Sequence, residues 1–211
     1  MGDIFRDNRR LLIFIIISNF LLNFGFQVWQ TLFNNFAVEE LAAGPAAVGL
    51  IQAVREVPGL LGFAIAFLAL LMSEIRLMAL SIVAMGIGVL LTGQASSVPT
   101  LLITTFIMSL GFHFFMPSSN AVVLMIMKQE DTPKTLGNLG SLGSLASVVG
   151  TGAVLLLAAP MGYRNLFTVV GVLVILGGLL LLPFGNRQAP LPQGRKVRLR
   201  RRYWLYYVLS F

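Results

Sequence analysis

Two charged residues stand side by side in an otherwise apolar stretch, in Gln52-Ala53-Val54-Arg55-Glu56-Val57-Pro58 within residues 46–72. A guanidinium attracts an anion or holds a neighbouring carboxylate, and a carboxylate can carry a proton. His113, the one histidine of the chain, is the second proton-handling candidate beside Glu56, because an imidazole titrates near pH ~6.5. A lone histidine in an apolar helix also serves as a hydrogen-bonded packing residue, and both readings stand at this level. A third set is amide: Asn19, Asn23, Gln27, Gln30 and Asn34 recur every three or four residues, which is one face of a helix. Amides in an apolar medium need partners or water, so this stripe either lines a cavity or joins helices. Ser109 and Asn120 fall at helical spacing around His113. The predicted cavity residues are therefore Asn19, Asn23, Gln27, Gln30, Gln52, Arg55, Glu56, His113 and Asn120.

The surroundings of these residues are a membrane. Hydrophobic residues make up 57% of the 211, charged ones 11%, and the mean hydropathy is +0.87; a soluble domain is roughly 45–50% apolar and about 25% charged. Apolar runs near the length needed to cross a bilayer fall at about 11–33, 46–72, 77–95, 98–127, 135–159 and 163–184. The expected fold is an all-α bundle of six transmembrane helices; barrel strands would alternate in short segments. Arg55 lies about nine residues into the second run, hence ~13 Å deep and near mid-membrane. A charge there costs roughly 2.5–3.5 kcal/mol or more unless it is paired or faces a polar cavity. Pro58 follows and predicts a bend. Adjacent residues on a helix point about 100° apart, so Arg55 and Glu56 start out facing different neighbours.

The net charge of +7 does not point to nucleic acid, because its distribution follows the loops. All Lys and Arg except Arg55 and Arg164 lie before the first run, between the second and third, between the fourth and fifth, or after the sixth. By the positive-inside rule both ends are cytoplasmic. Absent cysteine excludes disulfides, thiolate metal sites and cysteine nucleophiles. A single histidine excludes a His-rich metal centre, and the scattered acidic residues offer no catalytic pair. Neither enzyme chemistry, a metal nor a cofactor is expected.

The fifth run carries Gly137, Gly140, Gly143, Ser144, Ser147, Gly150, Thr151 and Gly152, a band of small residues read as helix packing. Residues 1–184 form the expected bundle and 185–202 a basic cytoplasmic linker, whose Arg195 to Arg202 cluster suits anionic lipid headgroups or anchors topology. Residues 203–211 read as the start of a truncated seventh helix or an interfacial tail.

Gly111 through Pro117-Ser118-Ser119-Asn120-Ala121 resembles the fourth helix of the major facilitator superfamily of secondary transporters. Lys134-Thr135-Leu136-Gly137-Asn138-Leu139-Gly140-Ser141-Leu142-Gly143 is similar to the start of its fifth helix. Gly162-Tyr163-Arg164-Asn165-Leu166-Phe167 is similar to the Gly-Trp-Arg-x-x-Phe segment opening its sixth. The resemblance covers essentially the whole chain, as the amino-terminal six-helix half. Two signatures are thinned. Only Glu74 and Arg76 remain of Gly-x-x-x-Asp-Arg-x-Gly-Arg-Arg, and Ala146 and Thr151 replace Gly and Pro of the exporter signature around Gly150, so antiport is not implied. The resemblance implies alternating access about a mid-membrane site in a bacterial inner membrane protein, which needs a carboxyl-terminal half or a second copy as partner. A non-transporting membrane scaffold that binds a partner complex is the alternative expectation.

Overall fold

A computed structural model describes residues 2–187, and every regular element among them is helical. Helix α1 (Gly2–Asn35) runs into a π-helical turn, Phe36–Glu40; α2 (Pro45–Leu60) and α3 (Phe63–Leu71) follow, then α4 (Glu74–Gln94), α5 (Val98–Ile126), α6 (Thr132–Leu181) and a 3₁₀ segment, Leu182–Arg187. Among the described residues four segments are long and apolar enough to cross a membrane: Arg9–Glu40, Glu74–Gln94, Val98–Ile126 and Thr132–Gly185. The basic linker and the expected seventh-helix start at 203–211 lie outside the described residues, as does the Arg195 to Arg202 cluster.

Three of the six sequence runs take a different form. Run 46–72 divides into α2 and α3, of 16 and 9 residues, each shorter than the ~20 needed to span alone. The cause is Pro58, which has no N–H to donate and crowds the preceding turn. Past it the backbone tightens into three-residue bonds, with the Leu61 N–H donating to the Pro58 carbonyl at 3.1 Å and Gly62 to Gly59 at 3.1 Å. Runs 135–159 and 163–184 instead join as α6, interrupted only at Gly162, whose φ of 74° and ψ of 163° leave helical space. Such a conformation belongs essentially to glycine. The chain reverses on this single residue, so both limbs of α6 can pack against α1.

The tightest packing belongs to α4. A Cβ on Gly88 would come within 2.2 Å of the Met108 nitrogen on α5, and one on Gly111 within 2.3 Å of the Ser81 carbonyl oxygen. On its other side α4 meets the second limb of α6, where Gly171 lies against Leu90 and Gly86 against Ile175. Without a hydrophobic force between helices in lipid, contact of this kind depends on small residues that let backbones approach. The 77–95 run reads as plain scaffold in sequence; in three dimensions its glycines make the closest helix crossings.

The core follows the inner face of α1. Phe26 stacks on Phe112 at 4.1 Å between centroids and Trp29 on Phe33 at 4.5 Å. The buried Trp29 indole donates to the Thr92 hydroxyl at 3.2 Å, which itself donates to the Gly88 carbonyl at 2.8 Å. A polar atom in this apolar core thus finds its partner one helix away. Side-chain caps open α4 and α5: Ser73 accepts from the Arg76 N–H, and Ser97 and Thr100 form a reciprocal capping box.

Candidate functional site

The Arg55–Glu56 pair sits three residues before the proline break. Both Nε and Nη2 of Arg55 donate to the same oxygen of Glu56, Oε1, at 2.9 and 2.7 Å. The other carboxylate oxygen, Oε2, lies 3.7 Å from His113 Nε2 on α5. Long side chains bend across the ~100° that separates adjacent helical positions, so the two charges neutralise one another instead of different neighbours. Their exposures differ: 24% for the Arg55 side chain and 57% for Glu56. The carboxylate therefore lies over the guanidinium on its open side.

Two features of the α2–α5 crossing hold this cluster. The Ser109 hydroxyl donates to the Arg55 carbonyl, beside the turn that Pro58 disrupts. Gly59 faces the imidazole, and a Cβ there would meet His113 Cε1 at 3.1 Å. A side chain in that position would press on the ring. On the far side the Phe112 ring meets His113 edge-on at 5.5 Å. Gln52, half-buried, lies one turn before the pair on α2.

The amide stripe of α1 is divided by what it meets. Asn19 is buried and donates to the Ser119 hydroxyl at 3.1 Å and to the Ile15 carbonyl at 3.0 Å. Asn23 donates to the Asn19 carbonyl at 2.8 Å, and its amide faces Gly143 of α6. Gln27 donates to Thr151 of α6 and to Thr31, each at 3.2 Å, with Gly150 packed against its stem. Gln30 and Asn34 are exposed, and so is Asn120. Of the small-residue band, Gly143 and Gly150 contact α1, while Gly137 and Gly140 have no atom within 4 Å of a would-be Cβ.

A cavity lies on each side of the Gln27–Thr151 contact. One of about 370 Å³ is lined by Asn19, Asn23, Ser119, Asn120, Ser144 and Ser147 with Met116, Leu136, Leu139, Gly140 and Gly143. The other, about 490 Å³, is lined by residues that include Thr31, Asn35, Glu40 and Tyr163. The Arg55–Glu56–His113 cluster borders neither directly. Met116, in the wall of the first cavity, is about one turn of α5 from His113. Sequence spacing did not bring out Ser119, Ser144 and Ser147 as lining residues; for Ser144 and Ser147 the signal was their three-residue separation within the glycine band.

One cluster escaped sequence reasoning altogether. Arg164 pairs with Glu40 at 2.7 Å, donates to the carbonyls of Gly93 at 3.2 Å and Ala95 at 3.0 Å, and stacks over Phe36 at 5.2 Å. It caps the end of α4 where carbonyls lack helical partners. Tyr163 beside it donates to Glu39 at 2.8 Å. The clue was present in the sequence: Arg164, with Arg55 one of the two arginines outside the basic loops, and the Glu39-Glu40 pair both fall between runs that the basic loops do not join.

Among the described residues no group of three His, Cys, Asp or Glu side chains converges as metal ligands would. What converges is one cation, one carboxylate and one imidazole beside a broken helix, with a neutral polar cavity close by. A search of curated proteins returns no match to this sequence. The sequence model of the Major Facilitator Superfamily matches residues 9–211. A helical, strongly apolar chain matched over nearly its whole length in this way belongs to the major facilitator superfamily, a family of membrane transporters.

Proposed function

We propose that this chain forms the amino-terminal half of a secondary active transporter that moves a small solute by alternating access. In this reading α2 and α3 make one bent span, the two limbs of α6 make two spans, and the six spans leave both ends in the cytoplasm of a bacterial inner membrane. A carboxyl-terminal half or a second copy completes the pathway. The solute path runs along α1, α2, α5 and the first limb of α6, which correspond to spans 1, 2, 4 and 5. Asn19, Asn23, Gln27, Gln30, Gln52, Arg55, Glu56, His113 and Asn120 line it, and Glu56 and His113 handle the coupling proton.

The observation that carries this reading is the Arg55–Glu56–His113 cluster. Ionisable groups within spanning segments are expensive and sit where ions or substrates pass, and discontinuous helices mark such sites in transporters. The α2–α3 break supplies that discontinuity within a few residues of the charges. Uptake by the intact protein in right-side-out vesicles tests it. Arg55→Ala is expected to abolish uptake, and Glu56→Gln to remove its dependence on an inward proton gradient. Wild-type rates and pH dependence in both variants would take the pair out of the mechanism.

A further inference from the structure

The arrangement of Glu56 on Arg55 suggests what the site accepts. Neighbouring positions on a helix are not a favoured pairing distance; good pairs fall three or four apart. Here both donors of Arg55 converge on one oxygen of an adjacent, largely exposed carboxylate. The interaction is local, reached from the open side and replaceable without moving a helix. Glu56 also has a second place to go, since its other oxygen already stands 3.7 Å from His113 Nε2. Gly59 keeps that imidazole close to α2, because a Cβ would crowd the ring at 3.1 Å. Helix α2 packs on α5, and among the described residues the charged and titratable groups facing Glu56 are Arg55 and His113.

We propose that this cluster binds a small carboxylate solute together with one proton. The solute's carboxylate replaces that of Glu56 on Arg55, a proton from water adds to His113 Nε2, and Glu56 pairs with the resulting imidazolium. Charge balance supports the coupling. Without solute the guanidinium is +1, the carboxylate −1 and the imidazole neutral. With one anion and one proton added, the total is again zero. Binding the anion alone would leave a carboxylate without a counter-charge within the bent span proposed above, where such a group is disfavoured. The bound solute and the Glu56 side chain are chemically alike, so the contact in the structure is itself the template for the ligand: one carboxylate oxygen shared by Nε and Nη2.

This inference deepens the transport reading above, and its test is binding, which needs no flux. The single histidine makes it direct: the intact protein in lipid nanodiscs, isotopically labelled at histidine, gives one imidazole signal set in the NMR spectrum. Sodium acetate is the probe, with sodium chloride, sodium sulfate and methyl acetate as controls. Acetate is expected to raise the protonated fraction of the imidazole while the controls do not. With one proton taken up per anion, acetate affinity falls about tenfold per pH unit on the alkaline side of neutrality. In Glu56→Gln acetate binds more tightly and without pH dependence, because Arg55 has lost its internal carboxylate. In Arg55→Gln the response disappears while the imidazole signal still reports a folded site. An imidazole that ignores acetate overturns the proposal, as does acetate binding that is independent of pH in the wild-type protein; an equal response to sulfate overturns the assignment to a carboxylate. Should acetate and a proton bind together in a protein that carries no solute across the membrane, the site stands and the transport reading falls.

Discussion

Gly88→Ala tests the packing on which every site distance depends. The added Cβ would fall 2.2 Å from the backbone nitrogen and 2.4 Å from the Cα of Met108, where relaxed contacts between heavy atoms lie at about 3.5–4.0 Å. Backbone cannot rotate away as a side chain can, so α4 and α5 must part by roughly 1 Å, and dispersion contacts along the crossing weaken with them. Overpacking of this kind costs about 1–3 kcal/mol or more. Against it stands the gain from replacing glycine inside a helix, at most about 1 kcal/mol. A net loss of about 1–2 kcal/mol is expected, read as a lower midpoint when the purified protein is unfolded by a denaturing detergent. Gly140→Ala and Gly152→Ala are the controls: neither added Cβ has an atom within 4 Å, so both keep the helix gain and shift the midpoint upward or not at all. Equal stability of Gly88→Ala and Gly140→Ala would refute the close crossing of α4 and α5. Because α5 carries His113 against Gly59, a parted crossing should also lower solute uptake more than Gly152→Ala does.

Gly162→Ala isolates backbone strain, since space is open around the residue but φ is 74° and ψ 163°; a loss of about 1–3 kcal/mol is expected, and an unchanged unfolding midpoint would mean the α6 reversal does not require this conformation. Arg164→Ala removes the pair with Glu40, two carbonyl bonds and the stack on Phe36. With the side chain 40% exposed, screening holds the expected loss to about 1–2 kcal/mol, and Arg164→Lys should recover less than half, because an ammonium cannot reproduce the planar fork. A neutral Arg164→Ala would show that the cluster is not holding the α1, α4 and α6 ends together.

Local features of this chain were legible because they depend on nearby residues. Long apolar runs dictate helices whatever their partners, since in lipid every backbone polar group must be satisfied within its own segment. Pro58 announced the break in the second run, and the spacing of Asn19, Asn23 and Gln27 announced a shared face. The motifs around Pro117, Gly137 and Gly162 carried the family. Pairing was a matter for the tertiary structure. The 3.6-residue period places amides on one face but says nothing of what crosses it at each level. Ser119, Gly143 and Thr151 meet Asn19, Asn23 and Gln27, while Gln30 and Asn34 stay exposed. Helix geometry aims Arg55 and Glu56 apart, yet flexible side chains bring them together and the α5 crossing puts His113 against their other side. The glycine band at 137–152 looked like the packing surface, but the closest approach is at Gly88 and Gly111, because helix separation depends on the crossing angle and on what stands opposite. Sequence by itself determined that this is a helical membrane chain with a few costly polar groups inside it; the packing of α1, α2, α5 and α6 alone settled which of those groups meet.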